Sequence, residues 1–180
     1  MVNIDNTAPE FDEMSFYNDE FKRIRLSDYK GKWVILFFYP ADFTFVCPTE
    51  LAELARGYDE LRSLNAEVIS VSTDTEHVHK AWHEDNEDIK TIRFPMLSDS
   101  AGRVCKKYGT YVEDEGKSLR ATFLIDPDGV IRAYEFHNHD IGRSYDEIKR
   151  KLQAAKFVRE NKGQLCPMNW RPGMETLKVK

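Results

Sequence analysis

A cysteine at position 47 stands where an apolar run gives way to an amphipathic stretch, in Phe38-Tyr39-Pro40-Ala41-Asp42-Phe43-Thr44-Phe45-Val46-Cys47-Pro48-Thr49-Glu50. A buried strand that runs into a loop and then a helix puts Cys47 in the first helical turn. Backbone N–H groups there lack partners inside the helix and the positive end of the dipole adds to them, so both favour a thiolate. A thiolate is a nucleophile, and attack by sulfur is the chemistry this spacing allows. Helix starts also carry inert buried cysteines, so position alone leaves both readings open. Thr44 brings a hydroxyl to the same loop, able to donate to or accept from the sulfur or a bound oxygen, and Pro40 fixes the start of the loop and lacks an N–H. Taken singly, Thr44 reads as a helix cap and Pro40 as a strand end. Taken jointly, Pro-x-x-x-Thr-x-x-Cys is a loop organised about a sulfur.

Attack by a sulfur nucleophile also needs fixed positive charge, to hold the thiolate and to stabilise charge developing on a leaving group. Arg120, just before the apolar run Thr122 to Ile125, is the candidate, although spacing alone favours a surface arginine at a strand edge. Cys105, in Gly-Arg-Val-Cys-Lys-Lys-Tyr, lies on a predicted helix between polar neighbours and reads as structural or incidental. Cys166, near the end of the chain, is either a stray thiol or a partner for oxidised sulfur, because a sulfenic acid climbs to irreversible forms unless a thiol condenses with it. His137, His139 and Asp140 alternate like metal ligands, yet they lack a clear fourth ligand and lie where a strand end expects polar residues. His79 and His83 share a helix face; without the glutamate of a zinc-protease motif between them, they and His77 read as a solvated face.

The elements that must position these groups follow a β-α-β rhythm. Trp33 to Tyr39 and Val68 to Val71 read as strands buried on both faces, with Phe94 to Leu97 and Thr122 to Ile125 continuing the sheet. From Thr49, an apolar stripe of Leu51, Leu54, Ala55, Tyr58 and Leu61 predicts one helix with Pro48 in its first turn. Further helices are predicted from Thr75 to about Glu84, from Ser100 to Tyr108, and from Ser144 to Asn161, the last stopped by Gly163. Asp126-Pro127-Asp128-Gly129 is a turn signal leading to a return strand through Val130, Ile131, Tyr134 and Phe136. Gln164 to Lys180 reads as an extended tail that needs something to pack on, such as another subunit.

With 180 residues, 41% hydrophobic and 32% charged, the chain fits one α/β globular domain. We place that domain at 1–162 and the tail at 163–180. Eleven Phe, eight Tyr and three Trp supply the aromatic mass that disordered chains lack. A net charge of -5 gives no basic footprint for nucleic acid or an anionic membrane surface. The stretch Met1 to Asp12 lacks the pattern of a secretory signal and the longest apolar run is too short to span a bilayer, which predicts a cytoplasmic protein. Three cysteines in such a compartment point to redox-active thiols rather than a disulfide framework.

Residues 38–50 together resemble the peroxidatic loop of typical 2-Cys peroxiredoxins of the alkyl hydroperoxide reductase C type. Val-Ser-Thr-Asp at 71–74, Ala-Trp-His at 81–83, Arg-Ala-Thr-Phe-Leu-Ile-Asp at 120–126 and Cys-Pro-x-Asn-Trp at 166–170 match in the same order. The resemblance implies a thioredoxin-like peroxidase domain, with a central mixed β-sheet flanked by helices and a C-terminal tail crossing to a neighbouring copy of the chain. It implies that Cys47 is the peroxidatic cysteine, that Pro40, Thr44 and Arg120 complete its site, and that Cys166 of the partner subunit resolves the sulfenic acid as a disulfide. Glu50 is similar to the family residue that steers nearby arginines; Trp82 and Arg143 resemble supporting positions. The substrates implied are hydrogen peroxide and small organic hydroperoxides, with no metal, flavin or haem cofactor. Thioredoxin or a flavoprotein disulfide reductase would recycle the enzyme, and homodimers would assemble into a ring of five dimers. A thioredoxin-like disulfide oxidoreductase is disfavoured because Glu50 stands where its second cysteine belongs. A client-binding or signalling role finds no direct support in the residues. The segment Val112 to Leu119 lacks the Gly-Gly-Leu-Gly of peroxide-sensitive family members, and the chain ends in Leu-Lys-Val-Lys rather than a helix with Tyr-Phe. That departure implies slow overoxidation of Cys47.

Overall fold

The computed structural model describes residues 2–179, which fall into two compact units divided between Arg143 and Ser144. The first contains β1 (Asp12–Tyr17), β2 (Glu20–Arg25), β3 (Trp33–Phe38), α1 (Cys47–Arg56), α2 (Tyr58–Ser63), β4 (Ala66–Ser72) and α3 (Glu76–Asp85). It continues with β5 (Met96–Ser98), α4 (Arg103–Tyr108), β6 (Tyr111–Val112), β7 (Lys117–Ser118), β8 (Arg120–Ile125) and β9 (Ile131–His137). Seven strands form one mixed sheet in the order β2-β1-β5-β4-β3-β8-β9, in which β4 runs parallel to β3 and β5 and the remaining pairs are antiparallel. This is the thioredoxin-like α/β arrangement, a central mixed sheet with flanking helices.

Continuous apolar runs become central strands because both of their faces are covered: every residue of β3, β4 and β8 is buried. Edge strand β9 instead buries only Ile131 and then alternates exposed and partly exposed positions. Leu36, Phe38, Ile69, Val71, Ala121 and Phe123 join Val104, Cys105 and Tyr108 of α4 in one core cluster. Parallel β3 and β4 need a crossover, and α1 with α2 supplies it. The stripe expected as one helix is broken at Gly57, whose φ of -88° and ψ of 1° leave the α-helical well. Its apolar side nevertheless continues through buried Tyr58 and Leu61.

Hairpin β1–β2 is not apparent in the periodicity, since Glu20–Arg25 keeps only Ile24 buried and so lacks an apolar face. Asn18 and Asp19 form its tight turn with positive φ at both positions, as Asn and Asp tolerate. Among the described residues no helix is long and apolar enough to cross a membrane.

The second unit holds α5 (Tyr145–Glu160), β10 (Gln164–Leu165) and β11 (Leu177–Lys178). Ser144 caps α5 by accepting from the Glu147 N–H. The expected extended tail is in fact closed on itself: β10 pairs antiparallel with β11, and buried Trp170 stacks against Phe157 of α5 at 4.8 Å between ring centroids. The aromatic pair gives the tail an apolar contact within its own unit.

Candidate active site

Strand β3 delivers the chain to Tyr39 and buried Pro40, and the loop from Ala41 to Val46 returns it into α1 with Cys47 as the first helical residue. Val46 is the N-cap, and its carbonyl oxygen accepts from the backbone N–H groups of Thr49 and Glu50 at 3.1 and 3.3 Å, which closes the first turn around Cys47. Cys47 is completely buried.

Arg120, the first residue of β8, is the cation beside it. Its Nη1 donates to Cys47 Sγ at 3.4 Å and to Glu50 Oε2 at 2.8 Å, and its Nε donates to the His139 carbonyl oxygen at 2.7 Å. The surface location favoured by spacing does not hold: Arg120 is only 3% exposed, because β8 is an interior strand and its first residue faces α1 rather than solvent. Three acceptors fix the guanidinium plane, so the charge at the sulfur cannot swing away.

Glu50 is the hub of this arrangement. Besides Arg120 it accepts from Arg143: the backbone N–H and Nε reach Oε1 at 2.8 and 2.9 Å, and Nη2 reaches Oε2 at 2.9 Å. Arg143 Nη1 also donates to the Ala121 carbonyl at 2.8 Å and Thr122 Oγ1 at 3.2 Å, and its guanidinium lies 3.3 Å above the centroid of the Phe37 ring. Burial raises the Glu50 carboxyl, but the Arg143 hydrogen bonds and the charges of Arg143 and Arg120 outweigh it and hold the group below its ordinary range. Two arginines share one carboxylate, which leaves the ensemble with surplus positive charge at Cys47.

Thr44 differs in detail from expectation. Its hydroxyl donates to the Ala41 carbonyl oxygen at 2.9 Å, which folds the loop back on itself and leaves the oxygen lone pairs as acceptors. Cys105 is buried in α4, where burial first and the Asp99 carboxylate second push its thiol up to about 12. In the second unit Cys166 is half-buried, with only a long 3.9 Å contact from Sγ to the Ala154 carbonyl oxygen. Burial raises its thiol somewhat and Arg150 offsets part of the effect.

The histidines divide. His77 is exposed, but His79 is wholly buried, which overturns its reading as part of a solvated face. Its Nδ1 lies 2.7 Å from Asp42 Oδ2 and its Nε2 lies 3.2 Å from the Leu97 carbonyl oxygen. The overlooked signal is Asp42, an acid inside the Cys47 loop with no polar surface to serve. His137 Nε2 and His139 Nδ1 approach Glu135 at 3.7 Å and Glu115 at 3.5 Å, and among the described residues no three potential ligands are grouped to hold a metal.

Residues 4–134 match the AhpC/TSA family. A selenocysteine-containing peroxiredoxin, PrxU, of Peptoclostridium acidaminophilum is 48% identical, over 99% of this chain and 90% of its own. Alkyl hydroperoxide reductase C of Escherichia coli (strain K12) is 44% identical over 97% and 93% of the two chains. Among solved structures, that of Enterococcus faecalis AhpC superposes with a TM-score of 0.90 at 43% identity, covering 93% of this chain and all of that one. The reduced Plasmodium vivax 2-Cys peroxiredoxin superposes at 0.93 with 34% identity, covering 98% and 93%.

Proposed function

This chain belongs to the AhpC/TSA family and is a thiol-dependent peroxidase, and from that premise we propose the residues that perform the reaction. Cys47 sulfur attacks one oxygen of a hydroperoxide; the O–O bond breaks, the sulfur becomes a sulfenic acid, and the other oxygen leaves as water or an alcohol after taking up a proton. Arg120 binds the reacting atoms and stabilises charge on both the sulfur and the departing oxygen. Thr44 accepts from the peroxide O–H and aligns it, Pro40 keeps the start of the loop rigid without presenting a competing N–H, and Glu50 with Arg143 positions Arg120. The observation that carries this reading is the Arg120 guanidinium set against Cys47 Sγ at a helix start.

In the second half of the cycle, Cys166 of the partner subunit attacks the sulfenic acid. An S–S bond forms, the S–O bond breaks and water leaves. The tail 163–180 acts as the arm that carries this thiol, and the half-burial of Cys166 suits a group that must be released to react. Thioredoxin or a flavoprotein disulfide reductase then reduces the disulfide, and the homodimers assemble into a ring of five dimers that loosens on oxidation. The short turn between β6 and β7 brings no Gly-Gly-Leu-Gly cover, which supports slow overoxidation.

Steady-state turnover separates the two thiols. Cys47→Ser is expected to lose peroxide reduction altogether; Cys166→Ser is expected to consume one equivalent at the parent rate and then stop cycling with a dithiol protein reductant. Equal steady-state rates for Cys166→Ser and the parent would remove the resolving role.

A further inference from the structure

The segment that carries Cys47 is tied down on both sides of the sulfur. On the helical side stands Glu50 with its two arginines. On the other side, among the described residues between Pro40 and Cys47, Asp42 alone is buried. Phe43 and Phe45 are exposed, and Phe43 sits at a φ of 54°, a left-handed conformation costly for a bulky residue. Asp42 is bonded through its N–H and both carboxyl oxygens: its N–H donates to Asp74 Oδ2 at 2.9 Å, Oδ1 accepts from the Tyr39 hydroxyl at 2.6 Å, and Oδ2 lies 2.7 Å from His79 Nδ1.

His79 therefore faces acceptors from both ring nitrogens, a carboxylate at Nδ1 and the Leu97 carbonyl at Nε2. Donating to both takes two ring protons, the imidazolium form. Burial opposes that charge, but the hydrogen bond and charge of Asp42, the charge of Asp74 and the Leu97 carbonyl together keep the His79 proton on above the ordinary value near 6.5. Burial pushes Asp42 above its ordinary carboxyl range, and the hydrogen bond and charge of His79 pull it back only in part, so the proton between Oδ2 and Nδ1 belongs to the pair. The groups facing this pair are Tyr39 at the end of β3, Asp74 after β4 and the Leu97 carbonyl of β5. Hairpin strand β1 brings the Phe16 ring against His83, one turn further along α3.

We propose that the Asp42–His79 pair is the latch of the Cys47 loop: His79 is a positioning residue that acts through Asp42 to set how often oxidised Cys47 leaves its helix for the resolving thiol. The inference rests on the roles proposed above for Cys47 and Cys166. A closed latch keeps the sulfenic acid beside Arg120, where a second peroxide can overoxidise it. An open latch lets the disulfide form with loss of water. Because the closed state holds the His79 proton more tightly than the open state, latching is strongest below the ordinary histidine value and is lost as pH rises through the closed-state value.

The test mixes reduced protein with one equivalent of hydrogen peroxide, quenches with acid, and follows sulfenic acid and disulfide by mass spectrometry at about pH 6 and about pH 8.5, on either side of the histidine range. At the lower pH, His79→Asn and Asp42→Asn are expected to form the disulfide roughly tenfold faster than the parent, the scale of a charged hydrogen bond lost. The ratio of variant to parent should approach one at the higher pH; titration of Cys166 is common to both proteins and cancels in it. A ratio near one at the lower pH, or a raised ratio that does not change with pH as simple destabilisation would give, overturns the latch. Should neither variant fold, amide exchange of residues 41–46 in the parent, corrected for intrinsic rates, is the measure: rising opening across that range supports the latch and a flat profile overturns it. If the parent forms no sulfenic acid on Cys47 at all, the assignment of Cys47 fails instead.

Discussion

Cys47 and Cys105 are both fully buried, and both lie in the first turn of a helix, yet their surroundings carry opposite charge. Cys47 meets the guanidinium of Arg120, whereas Cys105 sits against the carboxylate of Asp99, which also accepts from the Cys105 backbone N–H at 2.7 Å. In α4 the side chain of Asp99 satisfies the helix start, and the electrostatic benefit goes to the backbone rather than to the sulfur. Burial and a helix start thus do not make a thiol reactive by themselves. In the roles proposed for the two thiols, the sign of the fixed charge beside the sulfur is the difference.

Exchanging the two thiols for serine sharpens the comparison most. Cys47→Ser should lower peroxide turnover by about 10³-fold or more, since the nucleophile itself is gone, while Cys105→Ser should stay within about twofold of the parent. A comparable loss from both substitutions would erase the distinction. Next in size, Arg120→Met leaves Cys47 at its helix start without the cation. Its rate constant for peroxide should fall by about 10²-fold, the scale of losing one fixed donor at developing charge. Stopped-flow oxidation of the reduced variant measures this directly, and a loss confined to twofold would assign the reactivity to the helix start alone.

Much of the Cys47 environment was legible in the sequence, and for a local reason. Strand, loop and helix are contiguous there, so the apolar run ending at Tyr39 and the stripe from Leu51 fix where Cys47 falls. Arg120 was legible as a candidate but not as a buried group, because its position depends on β8 lying between β3 and β9, a pairing that no spacing reveals. Glu50 and Arg143 meet across the chain, and resemblance alone hinted that they matter. The interior position of His79 was not legible because its helix carries exposed polar residues around it, and its partners Asp42 and Leu97 stand on separate segments. Hairpin β1–β2 was not legible because its strands are mostly polar, its one cue being Asn18-Asp19 at the turn.

A smaller effect is expected from Glu50→Gln, which keeps the shape of the hub while removing its charge. Turnover should fall by about tenfold as Arg120 loses its fixed orientation. The same variant carries a pH signature. A carboxyl held low in the folded protein contributes stability above its ordinary value near 4.5 and loses that contribution as pH falls through the depressed folded value. The parent should therefore lose stability more steeply than Glu50→Gln below about pH 4.5 in denaturant titrations; parallel acid limbs would show that Glu50 carries no such linkage. Smallest of all, Cys105→Ala should cost about 1 kcal/mol of stability from a partly unfilled core site, with peroxide turnover unchanged.

The central claim concerns which sulfur reacts, and it can be read without any substitution. Reduced native protein is mixed with one equivalent of hydrogen peroxide in the presence of a dione that traps sulfenic acid, and peptides containing Cys47, Cys105 and Cys166 are quantified by mass spectrometry. The trapped adduct is predicted on Cys47, with Cys105 left as free thiol throughout. Adduct appearing first or equally on Cys105 would contradict the account, because the cysteine facing Asp99 would then be as reactive as the cysteine facing Arg120.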